Sequence, residues 1–280
     1  MVIKAILLGN AQDAGVPQAG CECANCLAAW ASPPGRKWVS ALGLLDTGAG
    51  EWFLIDATPD FREQLHRMQS EAGPARFAGL LITHAHIGHY TGLMHLGYEA
   101  MAARGLPLYG TRRLLDFLRA HAPWRQLVEQ GNVVLRELTP DEWLHLTPGL
   151  AVLPLRVPHR YEWSATVGFV VRGPARQLLY LPDIDSWDQW TRPVREIVAG
   201  VDVALLDGSF FSPGELPGRN VTQIGHPLVT DTVARLVAVP ADVRFIHLNH
   251  SNPLHRRGPE RDWIEARGFR VGRAGDMWEL

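Results

Sequence analysis

The chain lacks several features whose absence narrows what it can be. No stretch of about 18 consecutive apolar residues occurs, so nothing in it reads as a membrane span. Basic residues show no excess, with 27 Lys and Arg against 29 Asp and Glu; neutralising a phosphate backbone needs such an excess, so a general nucleic-acid binder is excluded. There are only three cysteines, at 21, 23 and 26, and an odd, tightly clustered set makes a poor disulfide framework for a chain this long. The opening MVIKAILLGNAQDAG lacks the longer apolar stretch and small-residue cleavage site of a secretory signal. It reads as a first strand, and the cytoplasm is the expected compartment. Internal repeats and low-complexity tracts are missing too. The Pro/Gly-containing segments at 32–36, 212–219 and 252–259 are short enough to be loops, so one domain over residues 1–280 is expected.

What is present suits a large α/β core, since 46% of the residues are hydrophobic. Apolar runs bounded by turn residues at 2–8, 41–46, 52–56, 79–83, 150–157, 166–172, 177–182, 201–206 and 243–248 are strand candidates. Helical patterns fall at 59–70, 91–104, 111–121, 187–199, 227–238 and 259–267. Strands arrive in groups with helices between them, which favours two sheets with helices outside over one doubly wound sheet.

Metal-ligand residue types recur where these strands stop: Asp56, His84, His159, Asp183 and His247 each follow an apolar run. Loops at strand ends are where a rigid scaffold presents functional groups. The stretch ITHAHIGHYTGL, residues 82–93, is the sharpest of these signals. His84 and His86 are one residue apart on a turn leading into a helix and can aim at one point, while His89 starts the helix. Neutral imidazole binds Zn, Fe or Mn well. GCECANC offers three thiolates from one short loop, and a structural Zn needs four N or S ligands. His226 in IGHPL and His250 in HLNHSNP compete for the fourth place.

THAHIGHYTGL resembles the metallo-β-lactamase superfamily motif T-H-x-H-x-D-H, with Gly88 standing where that superfamily has Asp. LIDATPDFREQL around Asp56, VPHRYEWSATVGFVV with His159, LLYLPDID with Asp183 and FIHLNHSNP with His247 extend the resemblance over nearly the whole chain. It implies an α/β fold of the αββα four-layer sandwich type, with a metal centre (Zn, Fe or Mn) at one edge of its two sheets. Carried over position by position, it implies that His84, His86 and His159 hold a first metal. His89, Asp183 and His247 hold a second, with Asp183 able to bridge. Gly88 has no side chain to donate, so the second site loses a carboxylate, and a mononuclear or metal-selective centre is expected. The two His and one Asp that remain have the composition of the facial triad of non-haem Fe(II) oxygenases. Alternatively, a nearby residue or water fills the gap, with Asp60 and Asp185 the candidates by type. Replacing Gly88 with Asp is expected to raise second-metal occupancy. For the cysteine clip (Cys21, Cys23, Cys26) the resemblance favours His250 as the fourth ligand. The cyclic phosphodiesterases of carbon–phosphorus bond cleavage, which have a similar C-x-C-x-x-C loop, use a His three residues after the active-site His.

The order GNAQDAGVPQAGCECANC, THAHIGHYTGLMHLG, DGSFF, IGHPL, HLNHSNP and a terminal GDMWEL is similar to the pyrroloquinoline quinone biosynthesis protein B family. That similarity implies an iron-dependent oxygenase acting on a tyrosine-derived substrate. The chain departs from that family in carrying both His84 and His86, as well as Gly88. The alternative is a Zn- or Mn-dependent hydrolase of a phosphodiester or ester, with Asp183 orienting the attacking water or accepting its proton. A non-catalytic carrier is disfavoured by the number of intact ligand residues. His226 is nominated as a substrate contact or general acid/base. The resemblance places both His226 and Asp276 in loops near the metal centre, while Asp56 and Asp207 read as hydrogen-bonders within the scaffold. Trp163, Trp187 and Trp190 read as packing residues. The expected partner is a small-molecule or short-peptide substrate.

Overall fold

The computed structural model describes residues 2–216, 218 and 224–280; of the expected loop at 212–219, residues 217 and 219 lie outside these. In chain order the strands are β1 (Ile3–Gly9), β2 (Ala41–Asp46), β3 (Glu51–Ile55), β4 (Arg76–Leu81), β5 (Leu106–Thr111), β6 (Val133–Leu138), β7 (Leu144–His145), β8 (Ala151–Val157), β9 (Thr166–Arg172), β10 (Gln177–Leu181), β11 (Val203–Asp207), β12 (Asp242–Ile246), β13 (Arg270–Val271) and β14 (Met277–Glu279). The helices are α1 (Ala24–Ala31), α2 (Phe61–Ala72), α3 (Ile87–Tyr90), α4 (Arg112–Ala120), α5 (Ala122–Glu129), α6 (Val194–Ala199), α7 (Val229–Leu236) and α8 (Pro259–Glu265). None of these is long and apolar enough to cross a membrane.

Two seven-stranded sheets result, ordered β14-β1-β2-β3-β4-β5-β6 and β13-β12-β11-β10-β9-β8-β7. Each is antiparallel at one end and parallel at the other: β3 to β6 run parallel in the first sheet, β10 to β13 in the second. The near-continuous apolar runs follow from burial on both faces. In β10, Leu178 and Tyr180 point into the layer shared by the sheets, while Leu179 and Leu181 point outward under α6 and α7. In β1, Ile3, Ala5 and Leu7 face the other sheet, and Ile6 and Leu8 face α2. Three separate apolar layers follow, one between the sheets and one under each set of helices. This is the αββα sandwich. Parallel strands joined by helical crossovers all end on one side of their sheet, and residues just past those ends can gather there.

Several local expectations need correction. The helix expected at 91–104 is only a 3-10 turn over Thr91–Leu96. Gly92 explains this: its N–H donates to Ala57 O at 2.8 Å, and a Cβ there would stand 2.3 Å from Thr58 O, so the chain is tied to the end of β3 instead of continuing a helix. The helix expected at 187–199 begins only at Val194, because Pro193 lacks an N–H and disfavours helical geometry in the residue before it. β5, β6, β7, β13, β14, α1 and α5 were not expected. β5 is interrupted by Pro107 and Gly110, β6 carries Arg136 and Glu137, and the other three strands have only two or three residues.

Candidate metal centre

β3 ends at Asp56, which adopts a left-handed backbone (φ 72°) and turns its carboxylate back toward β4. There it accepts the Thr83 N–H at 2.8 Å, the Thr83 hydroxyl at 2.9 Å and the His89 Nδ1–H at 2.8 Å. Thr83 in turn lies 3.0 Å from His84 Nδ1. His159, beyond β8, gives its Nδ1–H to Asp185 at 2.8 Å. His247, beyond β12 and also left-handed (φ 57°), lies with Nδ1 3.1 Å from Ser209 Oγ, whose hydroxyl donates to the His247 carbonyl. Each of these four rings is held by its Nδ1, so each turns Nε2 inward; fixing the tautomer and orientation of a ligating His in this way is what outer partners do in metal sites.

The inward nitrogens surround one carboxylate. Asp183, just past β10, places Oδ2 2.9 Å from His89 Nε2, 3.2 Å from His247 Nε2 and 3.5 Å from His84 Nε2. Its Oδ1 lies 3.6 Å from His159 Nε2, which is 3.2 Å from His86 Nδ1. Two ligands at about 2.1 Å from a tetrahedral cation are about 3.4 Å apart, so these separations suit donors around shared ions. Yet among the described residues the buried atoms His84 Nε2, His89 Nε2, His247 Nε2 and Asp183 Oδ2 have no hydrogen-bond partner, even at these short distances. Their lone pairs point at common spaces rather than at one another. Buried polar atoms are normally satisfied, and cations are what would satisfy this cluster. The structure therefore brings together His84, His86, His89, His159, Asp183 and His247 in overlapping groups with the spacing to hold an ion, His84, His86 and His159 in one and His84, His89 and Asp183 in another, and it groups Asp183 and His247 with Asp207 and His226 as well.

The electrostatics agree. Burial works to raise the Asp183 pKa, but His247, His159, His89 and His84 outweigh it, and the carboxyl is held well below the usual range. Burial and the neighbouring imidazole His89 push His84 well down, and burial with His159 takes His86 to about 4, so both rings are neutral and able to donate. His89 goes the other way: burial opposes its charge, but Asp56, Asp13 and Asp183 raise it well above the ordinary value. So many carboxylates around one ring demand positive charge, and a proton and a metal ion compete for that Nε2.

His226 (φ 79°) stands beside this cluster with Nδ1 2.7 Å from Asp207 Oδ2 and 3.5 Å from Asp183 Oδ1. Burial lowers its pKa, but Asp207, then Asp183 and Asp13, more than reverse this and raise it to about 9. Asp207 is itself fixed by the N–H groups of Ile184 and Ser209. A cleft of about 450 Å³ opens beside His86, lined by Tyr90, Phe117, His121, Arg160 and Trp163.

The carboxylate nearest Gly88 is neither Asp60 nor Asp185. Asp60 accepts the Val39 N–H at 2.7 Å, and Asp185 holds His159. It is Asp13, from the loop after β1, whose Oδ1 lies 3.3 Å from His89 Nε2 and 3.9 Å from His247 Nε2. A Cβ built on Gly88 would fall 2.1 Å from that Oδ1. The expectation that Gly88→Asp simply adds a ligand is therefore corrected, since the space is taken. Asp13 stands in the quoted GNAQDAG stretch, but nothing in its spacing pairs it with His89, and the close approach comes from the fold. Asp276 also departs from expectation: it pairs with Arg244 at 2.6 Å and accepts the Arg273 N–H, joining no ligand group. Trp187 and Trp190 are buried as packing residues, whereas Trp163 is 56% exposed at the cleft.

The three cysteines lie with His250 in one group, Cys21 Sγ 3.2 Å and Cys23 Sγ 3.4 Å from His250 Nδ1, while the Gln18 N–H donates to Cys26 Sγ at 3.3 Å. His226 is not part of it. Burial works against ionising Cys23, but His250, the Cys26 N–H and the Cys21 and Cys26 thiols bring it down to about 6. Burial pushes Cys26 up to about 12, and Cys23 and Cys21 add to the shift.

A family model described as the beta-lactamase superfamily domain matches residues 51–251. Coenzyme PQQ synthesis protein B of Methylobacterium sp. (strain 4-46) is 31% identical, with 98% of each chain covered. Among solved structures, Zn(2+)-bound PqqB from Methylobacterium extorquens superposes with a TM-score of 0.83 at 23% identity over 99% of this chain and 100% of that one. A diphosphatase of the PhnP family follows at 0.73 and 24% identity, over 100% and 98%.

Proposed function

The chain belongs to the metallo-β-lactamase superfamily and, within it, to the coenzyme PQQ synthesis protein B family, and from that premise we propose that it is a metal-dependent hydrolase of a small phosphodiester or ester, acting as a single domain in the synthesis of the PQQ cofactor. The observation that carries this is Asp183, whose two oxygens face separate sets of inward, unpartnered imidazoles, Oδ2 toward His89, His247 and His84 and Oδ1 toward His159. His84, His86 and His159 would hold a first cation, and His89, Asp183 and His247 a second, with Asp183 shared; Zn, Mn or Fe all suit imidazole and carboxylate donors. A pair of such ions supplies an acidified water and polarises the substrate oxygen.

The protein's own groups do the rest. Asp56, Thr83, Asp185 and Ser209 keep the rings aimed, so donor geometry is set before substrate arrives. Asp183 orients the attacking water. His226, whose Nδ1 Asp207 engages at 2.7 Å and whose Nε2 lies 3.4 Å from the Gln12 amide, is the candidate proton donor to the departing oxygen. Arg160, on the wall of the cleft, places an anionic small molecule or short peptide. Cys21, Cys23, Cys26 and His250 would hold a structural Zn, and reduced thiols of this kind suit a cytoplasmic protein.

A second reading has one specific support. Full-length similarity to proteins named for coenzyme PQQ synthesis, together with the His89, His247 and carboxylate set, fits an iron-dependent oxygenase acting on a tyrosine-derived substrate. One experiment separates the two. The full chain, loaded in turn with Zn²⁺, Mn²⁺ and anaerobic Fe²⁺, is given a chromogenic phosphodiester, a chromogenic ester and a Tyr-containing dipeptide on an oxygen electrode. Metal-dependent hydrolysis without oxygen uptake is expected. Oxygen uptake with Fe²⁺ and the dipeptide, with both chromogenic substrates untouched, establishes the second reading instead. No metal bound beyond the cysteine clip would remove both.

A further inference from the structure

We propose that Asp13 is a ligand of the second metal, supplying from the loop after β1 the carboxylate that position 88 lacks. The inference rests on reading the imidazole cluster as a metal centre, and it concerns which residue completes it. A Cβ on Gly88 would lie 2.1 Å from Asp13 Oδ1 and 2.5 Å from Asp13 Cα. The Asp13 carboxylate thus fills the volume a side chain at 88 would occupy, and the two positions exclude each other. Asp13 Oδ1 also faces the open side of His89 and His247, at 3.3 and 3.9 Å from their Nε2 atoms. The Asp13 side chain is 31% exposed overall, yet Oδ1 itself is shut off from solvent with no hydrogen-bond partner among the described residues, as are the two Nε2 atoms it faces. A buried carboxylate oxygen left this way is destabilising unless a cation meets it.

The loop is built to hold that oxygen in place. Ala11 bridges both Val39 and Leu248, the Gln12 N–H donates to Leu248 O at 2.9 Å, the Leu248 N–H donates to Asn10 O at 2.8 Å, and the Gly15 N–H closes a turn on Gln12 O. Asp13 is therefore stitched to the residue next to His247, and His250 at the clip lies three residues further along. With Asp13 counted, the second group has two imidazoles and two carboxylates, a donor set that suits Mn²⁺, Fe²⁺ or Zn²⁺ over softer ions.

The test uses the full chain with its clip intact, stripped of active-site metal and titrated with Mn²⁺ by calorimetry and electron paramagnetic resonance. Wild type, Asp13→Ala, the isosteric Asp13→Asn and the carboxylate-retaining Asp13→Glu are compared, with circular dichroism reporting the fold. Expected is that Asp13→Ala and Asp13→Asn weaken the second Mn²⁺ by about 100-fold or more and leave the first near its wild-type affinity. The exchange-coupled pair signal should vanish in both. Asp13→Glu, which keeps a carboxylate on the same loop, should retain second-site binding to within about 10-fold. Wild-type binding of two Mn²⁺ by folded Asp13→Ala and Asp13→Asn would overturn the assignment, as would a loss in Asp13→Glu equal to that in Asp13→Asn. Failure of the wild type itself to bind Mn²⁺ would instead overturn the functional reading.

Discussion

The Asp56 carboxylate takes the Nδ1 proton of His89 at 2.8 Å while holding the N–H and hydroxyl of Thr83, so one fully buried acid locks the histidine motif to the end of β3. Its removal frees the His89 tautomer. Asp56→Asn is expected to lower second-metal affinity about 10- to 100-fold, read by Mn²⁺ titration, with the fold retained. Unchanged affinity would mean that the ring is held by packing alone.

Gly88→Ala tests the crowding at Asp13 without adding a ligand. The new methyl has no room between the α3 backbone and Asp13, so a loss of about 1–3 kcal/mol is expected in urea unfolding. A neutral result would show that the Asp13 loop moves aside freely.

Chelating the clip, or replacing Cys26 with Ser, should loosen the segment from Asn10 to Cys26. This segment is tied to the rest of the chain through His250 and the backbone pairing of Ala11 and Gln12. A fall in Tm of at least about 5 °C is expected, reversed by Zn²⁺ in the chelated wild type but not in the variant.

His226→Asn should leave metal content intact, because its Nδ1 is engaged by Asp207, and should slow hydrolysis of a phosphodiester about 100-fold or more in kcat. The penalty should shrink for substrates with better leaving groups, which need no proton. A uniform loss across leaving groups would make His226 a positioning residue.

His255 offers a titration away from the cluster. Burial, opposed by its bond to Asn249 O at 3.0 Å, lowers its pKa to about 4, and its Nδ1 is closed off without a partner. The folded pKa lies below the unfolded value of about 6.5, so the unfolded chain binds the extra proton first. Stability should therefore fall as pH drops from about 6.5 toward 4, by on the order of 2–3 kcal/mol from this group. His255→Gln, which keeps a donor for Asn249 O, should flatten that part of the Tm–pH curve; parallel curves would assign the acid loss elsewhere.

Part of the candidate site is legible because several of its donors follow a long apolar run, and an apolar run of that length ends at a strand end. His84, Asp183 and His247 are of this kind. The clip was legible because three cysteines within six residues have few other uses. β5 escaped notice because Pro107 and Gly110 break its pattern, and its strand state comes from pairing on both sides with β4 and β6. The helix expected after His89 failed because Gly92 is tied to Ala57.

The sequence by itself determined the two-sheet layering and the types of donor, since periodicity and residue chemistry are local properties. Only the tertiary structure decided which carboxylate stands beside Gly88. Asp13 and Gly88 are 75 positions apart, and their exclusion of one another is a matter of shared volume that no spacing along the chain encodes.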